Sequence, residues 1–362
     1  IENKVNDSID PTPFFSLTEN ARKKTVTLAV EEGPNKPYLY RGKAYRRSDT
    51  ATVEVDNVEL RRLVLAGQNM HFEELPCHKQ DLTFRALEEK LEAEHVVKAL
   101  NGDVLRTFNL FNFEAGFNNA ALIVSDQNTF PGIDVARFGE NINTIADRST
   151  FEGTSVIEQI DGACTMFERY YSVETIEGAR RTTHYSIPYE AFREAVANAV
   201  AHRTWYVNAK IRIAMHPDRI EISSPGGLPA GLGRNEYLRG FISQLRNPIL
   251  ANVLFRLNII EMFGTGIVRI RSSYAEYEQK PEFDVSENAV RVTLPVTDAR
   301  PALTSDEELV YRFVKEEGST ASGQIVANFG FGKDKAVKLL RSLVEKRYVE
   351  KTGTGRGTKY HA

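Results

Sequence analysis

The sequence predicts a multidomain α+β fold, because stretches of three different patterns follow one another along its 362 residues. Residues 24–64 alternate apolar and polar side chains between turn signals, which is the pattern of short β-strands. Residues 187–302 join an amphipathic helix to a strand hairpin and Gly-rich turns, and residues 304–362 give three helices and a second hairpin. A chain of this length is expected to form two or three domains.

Composition argues against a membrane or secreted protein. Hydrophobic residues make up 41% of the chain and charged residues 26%, and no run approaches the roughly 18 apolar residues of a membrane helix. The first residues lack the pattern of a signal peptide, so a cytoplasmic location is expected. Cys77 and Cys164 lie far apart and outside any CxxC or His-rich spacing, so we expect two buried thiols and no disulfide or zinc site.

Charge is distributed unevenly. The net charge of the chain is −3, but residues 303–362 hold eleven Lys or Arg against eight Asp or Glu, a net of +3 that leaves −6 for the rest. From Phe331 onward the basic residues are Lys333, Lys335, Lys338, Arg341, Lys346, Arg347, Lys351, Arg356 and Lys359, against three acidic residues, a net of +6. A local positive surface of this kind predicts contact with nucleic acid.

The strands of residues 24–64 precede a helix that ends at Gly67. Basic residues alternate with tyrosines in KPYLYRGKAYRRS, so Arg46 and Arg47 are predicted to contact a nucleic-acid backbone while the tyrosines stack on bases. An exposed hairpin with tyrosines packed beneath it is the alternative. Further along, the pattern predicts a helix over 82–100, strands over 117–126 and 132–139, and a helix over 155–171.

The helix that begins near Pro188 places Glu194, Asn198 and His202 four residues apart, so they share one stripe beside its apolar face. An amide oxygen can ligate Mg²⁺ and a carboxylate can take a proton from water. The hairpin over 209–225 ends in SSPGGLP, and a second turn reads FGTG. Glycines at the end of a strand allow backbone N–H groups to approach phosphate.

These elements resemble, in this order, the Bergerat-fold ATPases, which carry an ExxxN helix and two glycine boxes. The blocks EAVANAVAHR, DRIEISSPGGLP, RNPILA and EMFGTGIVRI more closely resemble a bacterial family of divergent ATPase domains in transcriptional regulators. The stretch KPYLYRGKAYRRSDT is similar to the closing part of the Schlafen-type (AlbA-like) domain that often precedes such a region.

The resemblance implies a bound nucleotide, ATP with Mg²⁺. Asn198 would hold the metal, Glu194 would be the catalytic base, and the backbone contacts to the nucleotide would come from Gly226, Gly227, Gly264, Thr265 and Gly266. Ser223 or Ser224 stands near the position of the superfamily's adenine-reading Asp, and Thr204 replaces an acidic residue that usually follows His-Arg. Slow hydrolysis at most is therefore expected.

The C-terminal stretch resembles a winged helix-turn-helix over its whole length. In its third helix Ala336, Val337, Leu340, Leu343 and Val344 are predicted to face inward, which leaves Lys335, Lys338, Arg341 and Ser342 outward to read bases in the major groove. Lys333, Lys346, Arg356 and Lys359 are expected to contact phosphates. Duplex DNA is thus the predicted partner.

The predicted domains are 1–67 (the end of a Schlafen-type domain), 68–302 (Bergerat-like) and 303–362 (winged helix), with a linker at 298–301. The favoured interpretation is a DNA-binding regulator whose middle domain senses a nucleotide or assembles a homodimer. Two alternatives are an ATPase that cycles on nucleic acid and a ligand-free scaffold. A helicase motor is not predicted, because the only candidate loop, around Gly332 and Lys333, lacks the remaining residues of a Walker A motif.

Overall fold

A computed structural model describes residues 1–48, 50–177, 180–229, 231–240, 244–261, 264–297, 303–346, 348–353 and 355–361. The fold is mixed α/β with several sheets, in agreement with the predicted class. The linker expected at residues 298–301 lies outside the described residues. None of the described helices combines the length and apolar composition that crossing a bilayer requires.

The described helices are α1 (Glu2–Ser8), α2 (Asn57–Gly67), α3 (Arg85–Ala93), α4 (Gly102–Thr107), α5 (Asn119–Val124), α6 (Val156–Tyr171), α7 (Tyr189–Ala201), α8 (Arg234–Arg239), α9 (Pro248–Arg256), α10 (Gly266–Ser273), α11 (Ser305–Glu317), α12 (Ser322–Phe329) and α13 (Lys333–Glu345). The described strands are β1 (Ile9–Asp10), β2 (Phe15–Asn20), β3 (Thr25–Val30), β4 (Leu39–Tyr40), β5 (Tyr45–Ser48), β6 (Ala51–Glu54), β7 (Phe111–Asn112), β8 (Gly116–Phe117), β9 (Ile133–Phe138), β10 (Ile145–Phe151), β11 (Ser172–Glu177), β12 (Arg180–Tyr185), β13 (Ile211–Met215), β14 (Arg219–Pro225), β15 (Glu282–Val285), β16 (Ala289–Pro295), β17 (Glu350–Thr352) and β18 (Lys359–His361).

The largest sheet has six strands in the order β10-β9-β13-β14-β16-β15. Only β9 and β13 run parallel, and the remaining neighbours are antiparallel. Side chains alternate across it as period-2 strands require: in β13 Ile211, Ile213 and Met215 are buried while Arg212 is exposed. One face of the sheet therefore forms a core, which α6 and α7 cover, while α10 packs against α7.

Helix α7 is the central element of this core. Its predicted start is confirmed, because Pro188 is the N-cap residue and Tyr189 begins the helix. The helix is buried almost all round: Phe192, Ala195, Val196 and Val200 are at most 1% exposed. Five buried alanines let the neighbouring elements approach closely, so that Glu194 lies within the core and Asn198 is partly buried at its edge.

The N-terminal strands form small two-stranded sheets, β2 with β3 and β5 with β6. All of β3 is exposed, including Val26 and Val30 at 52% and 60%. The large cluster of buried apolar residues begins only at Phe84. Helix α2, predicted to end at Gly67, does so, and Asp56 caps it by accepting a hydrogen bond from the Glu59 N–H.

A buried carboxylate links the early chain to the core. Glu73, on a 3₁₀ turn (Phe72–Glu74), is fully buried. Its two oxygens accept hydrogen bonds from the backbone N–H groups of Ile249 at 2.6 Å and Leu250 at 2.9 Å, which open helix α9. Burial raises the pKa of Glu73 to about 7 in spite of these bonds. The first turn of α9 thus receives its acceptor from a residue 176 positions earlier.

Helices α11 to α13 and the β17–β18 hairpin have a second, separate cluster of buried residues, which includes Val310, Ile325 and Leu340. The predicted helix boundaries are confirmed: Thr304 caps α11 and Gly330, with φ of 65°, ends α12. Thr320 pairs with Tyr360 of β18. A tri-helical unit followed by a strand hairpin is what the sequence pattern predicts.

Two predicted elements were wrong. The strand predicted over 117–126 was wrong, because Asn119–Val124 form helix α5. Asn118 caps this helix and all six of its residues are buried, and such an apolar run has no period that distinguishes a strand from a helix. The helix predicted over 82–100 ends at Ala93. His95 follows with φ of 57°, a backbone conformation that a helix does not allow.

Candidate functional site: a cavity at two glycine turns

A cavity lies between α7, the sheet and helices α8 and α10. Its empty space is about 1000 Å³, part of it open to solvent. Of the residues predicted to bind a nucleotide, Asn198, Gly226, Gly227, Gly264 and Gly266 line this cavity. Thr265 is the N-cap residue of α10 and is not part of the lining. Segments that are far apart in the sequence thus converge where the sequence predicts one site.

Glu194 and Asn198 form a hydrogen-bonded pair on α7. The Asn198 side chain donates from Nδ2 to Glu194 Oε1 over 3.1 Å, which leaves the amide oxygen as the atom that could ligate a cation. Glu194 is 3% exposed, and burial raises the pKa of its carboxyl above the usual range although Asn198 opposes this shift. Glu194 itself is not among the residues that line the cavity.

The second glycine turn packs directly on this pair. A Cβ at Gly266 would lie 2.5 Å from Asn198 Nδ2 and 2.7 Å from Glu194 Oε1, so only glycine fits this approach. Gly266 is also the first residue of α10, and the free N–H groups of a helix start favour an anion. No group of three or more His, Cys, Asp or Glu side chains that could hold a metal is present among the described residues.

The first glycine turn is held in a conformation that requires glycine. Gly226 has φ of +104°, and a Cβ there would lie 2.0 Å from Thr204 Oγ1. Its N–H donates to Asn288 O, in the turn between β15 and β16. Thr204, which replaces the family's usual acidic residue, thereby packs against the turn.

Sequence reasoning did not assign a role to Arg246, although its block, RNPILA, was part of the resemblance. Its guanidinium donates from Nη1 to Thr204 Oγ1 over 2.8 Å and from Nη2 to Gly227 O over 2.6 Å. Asn247 donates to the carbonyl groups of Ala201 and Arg203. This block therefore fixes the first glycine turn and the end of α7 relative to each other.

Ser224, and not Ser223, is the serine that lines the cavity. Its hydroxyl donates to Ala199 O over 2.7 Å, so toward the cavity it can only accept a hydrogen bond. His202 also lines the cavity, and burial, with a smaller contribution from Arg246, lowers the pKa of its imidazole to about 4. At neutral pH this ring is uncharged.

The basic residues predicted on the third helix of the C-terminal unit differ in what they contact. Lys333 and Lys338 are exposed on α13. Lys335 pairs with Asp306 at 2.7 Å and lies over the Phe331 ring, and Arg341 pairs with Glu345 on its own helix. Lys359, on β18, is exposed. The side chain of Arg356 lies outside the described residues.

The orientation predicted for two residues of α13 was wrong. Ser342 does not point outward, because its hydroxyl donates to Glu307 Oε1 over 2.6 Å. Val337 does not face inward but is 42% exposed. Lys346, expected to contact phosphate, donates to Glu307 Oε2 over 2.9 Å and is 20% exposed. Both side chains donate to the buried Glu307, so this edge of α13 faces α11 and not the solvent.

The two basic residues predicted to contact nucleic acid near the N-terminus also have partners. Arg46 forms an ion pair with Glu287, in the turn between β15 and β16. Arg47 donates to Thr52 Oγ1 across its own hairpin over 2.9 Å. Both residues lie on an exposed surface.

Comparisons with known proteins agree with a part of these predictions. Residues 208–294 match the family model described as "Putative ATP-dependent DNA helicase recG C-terminal", which supports an ATPase-like domain here. The match includes both glycine turns but begins after α7, and so after Glu194 and Asn198. No curated protein matches the chain. The crystal structure of the DIP2311 protein from Corynebacterium diphtheriae is similar over 98% of this chain and 77% of that one, with a TM-score of 0.55 and 17% identity, so the two share a fold.

Proposed function

We propose that this chain is a DNA-binding regulator whose middle part, residues 68–302, binds a nucleotide, with ATP and Mg²⁺ as the expected ligands. The observation that carries the proposal is the convergence of Asn198 and both glycine turns on one cavity. The family match over 208–294 supports the ATPase-like character of this region.

Each wall of the cavity suits one part of such a ligand. The turn at Gly264 and the start of α10 present backbone N–H groups, which favour phosphate, while the first glycine turn shapes the opposite wall. The amide oxygen of Asn198 fits Mg²⁺, which usually takes one or two protein ligands and completes its shell with phosphate oxygens and water. The apolar residues of the sheet and of α7 suit the base.

The C-terminal unit is proposed to be a winged helix that binds duplex DNA. Three helices, a short pairing of Thr320 with β18 and a terminal hairpin support this assignment. Lys333 and Lys338 on α13 and Lys359 on the hairpin are exposed and positive. A helix of this kind fits the major groove, which is about 12 Å wide. A homodimer, which would present two such units, is part of the proposal.

An ATPase that cycles on nucleic acid is the second candidate, and the Glu194–Asn198 pair favours it. A buried carboxylate with a raised pKa is a suitable acceptor for a proton from water. In this structure Gly266 covers that carboxylate. We therefore expect hydrolysis to be slow or absent. Turnover of about 1 s⁻¹ or faster that disappears in Glu194→Ala would favour this second candidate.

Nucleotide binding is tested by calorimetry on the full chain with ATP, ADP and GTP, with and without Mg²⁺. We expect binding that Mg²⁺ strengthens, and Asn198→Ala is expected to remove the Mg²⁺-dependent part because the amide oxygen is lost. Asn252→Ala on α9, outside the lining, is the matched control. The absence of heat at hundreds of micromolar ligand would favour the ligand-free scaffold.

DNA binding is tested by measuring the affinity for a duplex of random sequence at several salt concentrations. Each phosphate contact contributes about 0.9 to the slope of log affinity against log salt. Lys333→Gln is therefore expected to lower the slope by about this amount, and Lys333→Gln with Lys338→Gln by more. The control is Lys98→Gln, an exposed lysine outside the C-terminal unit. If the double variant binds duplex DNA with the slope of the wild type, α13 does not contact the DNA.

A further inference from the structure

One wall of the cavity comes from helix α8 and its flanking residues, to which the sequence analysis assigned no role. Helix α8 lies between Gly233, its N-cap residue, and Gly240, which has φ of 66°. Arg271 of α10 donates from Nη1 to Leu238 O over 2.7 Å, and its guanidinium lies over the Phe283 ring. This bond attaches α8 to the helix that begins at the second glycine turn.

Tyr237 is the residue through which α8 contributes to the cavity. Its side chain lines the cavity and is half-buried, and burial raises the pKa of its hydroxyl to about 12. Among the described lining residues the only other aromatic ring is the imidazole of His202. The remaining walls are mostly aliphatic, with Ile222, Val290 and Val292 on the sheet.

We propose that Tyr237 is the surface on which the base of the bound nucleotide stacks. The proposal rests on the proposed nucleotide binding and deepens it. Stacking needs one large flat ring on a rigid support, and the Arg271–Leu238 bond gives α8 that support. A neutral phenol ring contacts any base through its π face, so Tyr237 provides affinity for a nucleoside without selecting which one.

The proposal assigns Tyr237 to the base alone and not to the phosphates. Two ligands, one with a base and one without, test this assignment. The full chain and its variants are titrated in calorimetry with Mg²⁺-ATP and with Mg²⁺-tripolyphosphate, which has no base. Tyr237→Leu is expected to weaken ATP binding by about 5- to 150-fold, the range that base stacking contributes. Tyr237→Phe keeps the ring and is expected to bind ATP about as tightly as the wild type. Neither variant is expected to change the affinity for tripolyphosphate.

Three other results have distinct meanings. If Tyr237→Leu weakens both ligands equally, Tyr237 only holds α8 in place and does not contact the base, which overturns the inference. If Tyr237→Leu binds ATP like the wild type, the inference is also overturned while nucleotide binding stands. If the wild type binds neither ligand, the proposed function itself fails. Tyr170→Leu, at an exposed tyrosine outside the lining, is the control for the substitution.

Discussion

Gly226→Ala is expected to abolish nucleotide binding and to destabilise the core. A methyl group at this position would lie 2.0 Å from Thr204 Oγ1 and 2.8 Å from Thr204 Cβ, and the residue would have to keep φ of +104°. The strained backbone and the overpacking each cost about 1–3 kcal/mol. Moving Thr204 away would also disturb its bond to Arg246, so the first glycine turn would lose the contact that fixes it.

The measurement can use the only tryptophan of the chain, Trp205, which is 2% exposed and directly follows Thr204. Urea unfolding followed by its fluorescence gives the free energy of unfolding, and calorimetry with ATP gives the affinity. Gly102→Ala is the matched control, because a Cβ there meets nothing within 4 Å. A Gly226→Ala protein with the stability and affinity of the wild type would show that the turn does not have this conformation.

Glu307→Gln is expected to destabilise the C-terminal unit by up to about 3 kcal/mol at pH 7. Burial would raise the pKa of this 4% exposed carboxyl, but hydrogen bonds from Ser342, Lys346 and Thr304 outweigh burial and lower the pKa to about 2. A neutral amide cannot replace the charge-assisted bonds. Because Ser342 and Lys346 are on α13, the substitution is expected to loosen the helix proposed to enter the major groove.

The same carboxyl predicts sensitivity to acid. Its pKa is lower in the folded chain than the ordinary value of 4.5, so its stabilising contribution is present above pH 4.5 and is lost as the pH falls toward 2. The measurement is the urea unfolding of the helices by circular dichroism at pH 7, 4 and 3. The wild type should lose stability over this range faster than Glu307→Gln, with Glu316→Gln, at an exposed position of α11, as control. Parallel losses in the wild type and Glu307→Gln would contradict the assignment.

Elements with a clear period or cap could be predicted from the sequence. The α2 helix, the β13–β14 hairpin and the three C-terminal helices all have boundaries close to those expected. Helix α5 could not be identified, since a short run that is buried on every side carries no amphipathic signal. The orientation of Ser342 was missed for another reason: its partner, Glu307, lies 35 residues earlier on α11.

The candidate site was predictable in its parts but not in its connections. The order of the ExxxN helix and two glycine turns was sufficient to predict that Asn198, Gly226 and Gly264 would converge. Nothing in the sequence indicates that Arg246 would bond the Gly227 carbonyl, or that Tyr237 would enter the cavity from α8. Such contacts join segments through a single side chain, and a local pattern contains no information about its distant partner.

The bond from Glu73 to the start of α9 has a consequence for the order in which the chain acquires its structure during synthesis. Glu73 leaves the ribosome 176 residues before Ile249, which at ordinary elongation rates is about 9 to 35 s. During that interval the two N–H groups that donate to the Glu73 carboxylate in the finished protein do not yet exist. The carboxylate therefore stays hydrated. The Phe72–Glu74 turn therefore cannot make these bonds until α9 has been made. This part of the core is completed only after both segments have left the ribosome.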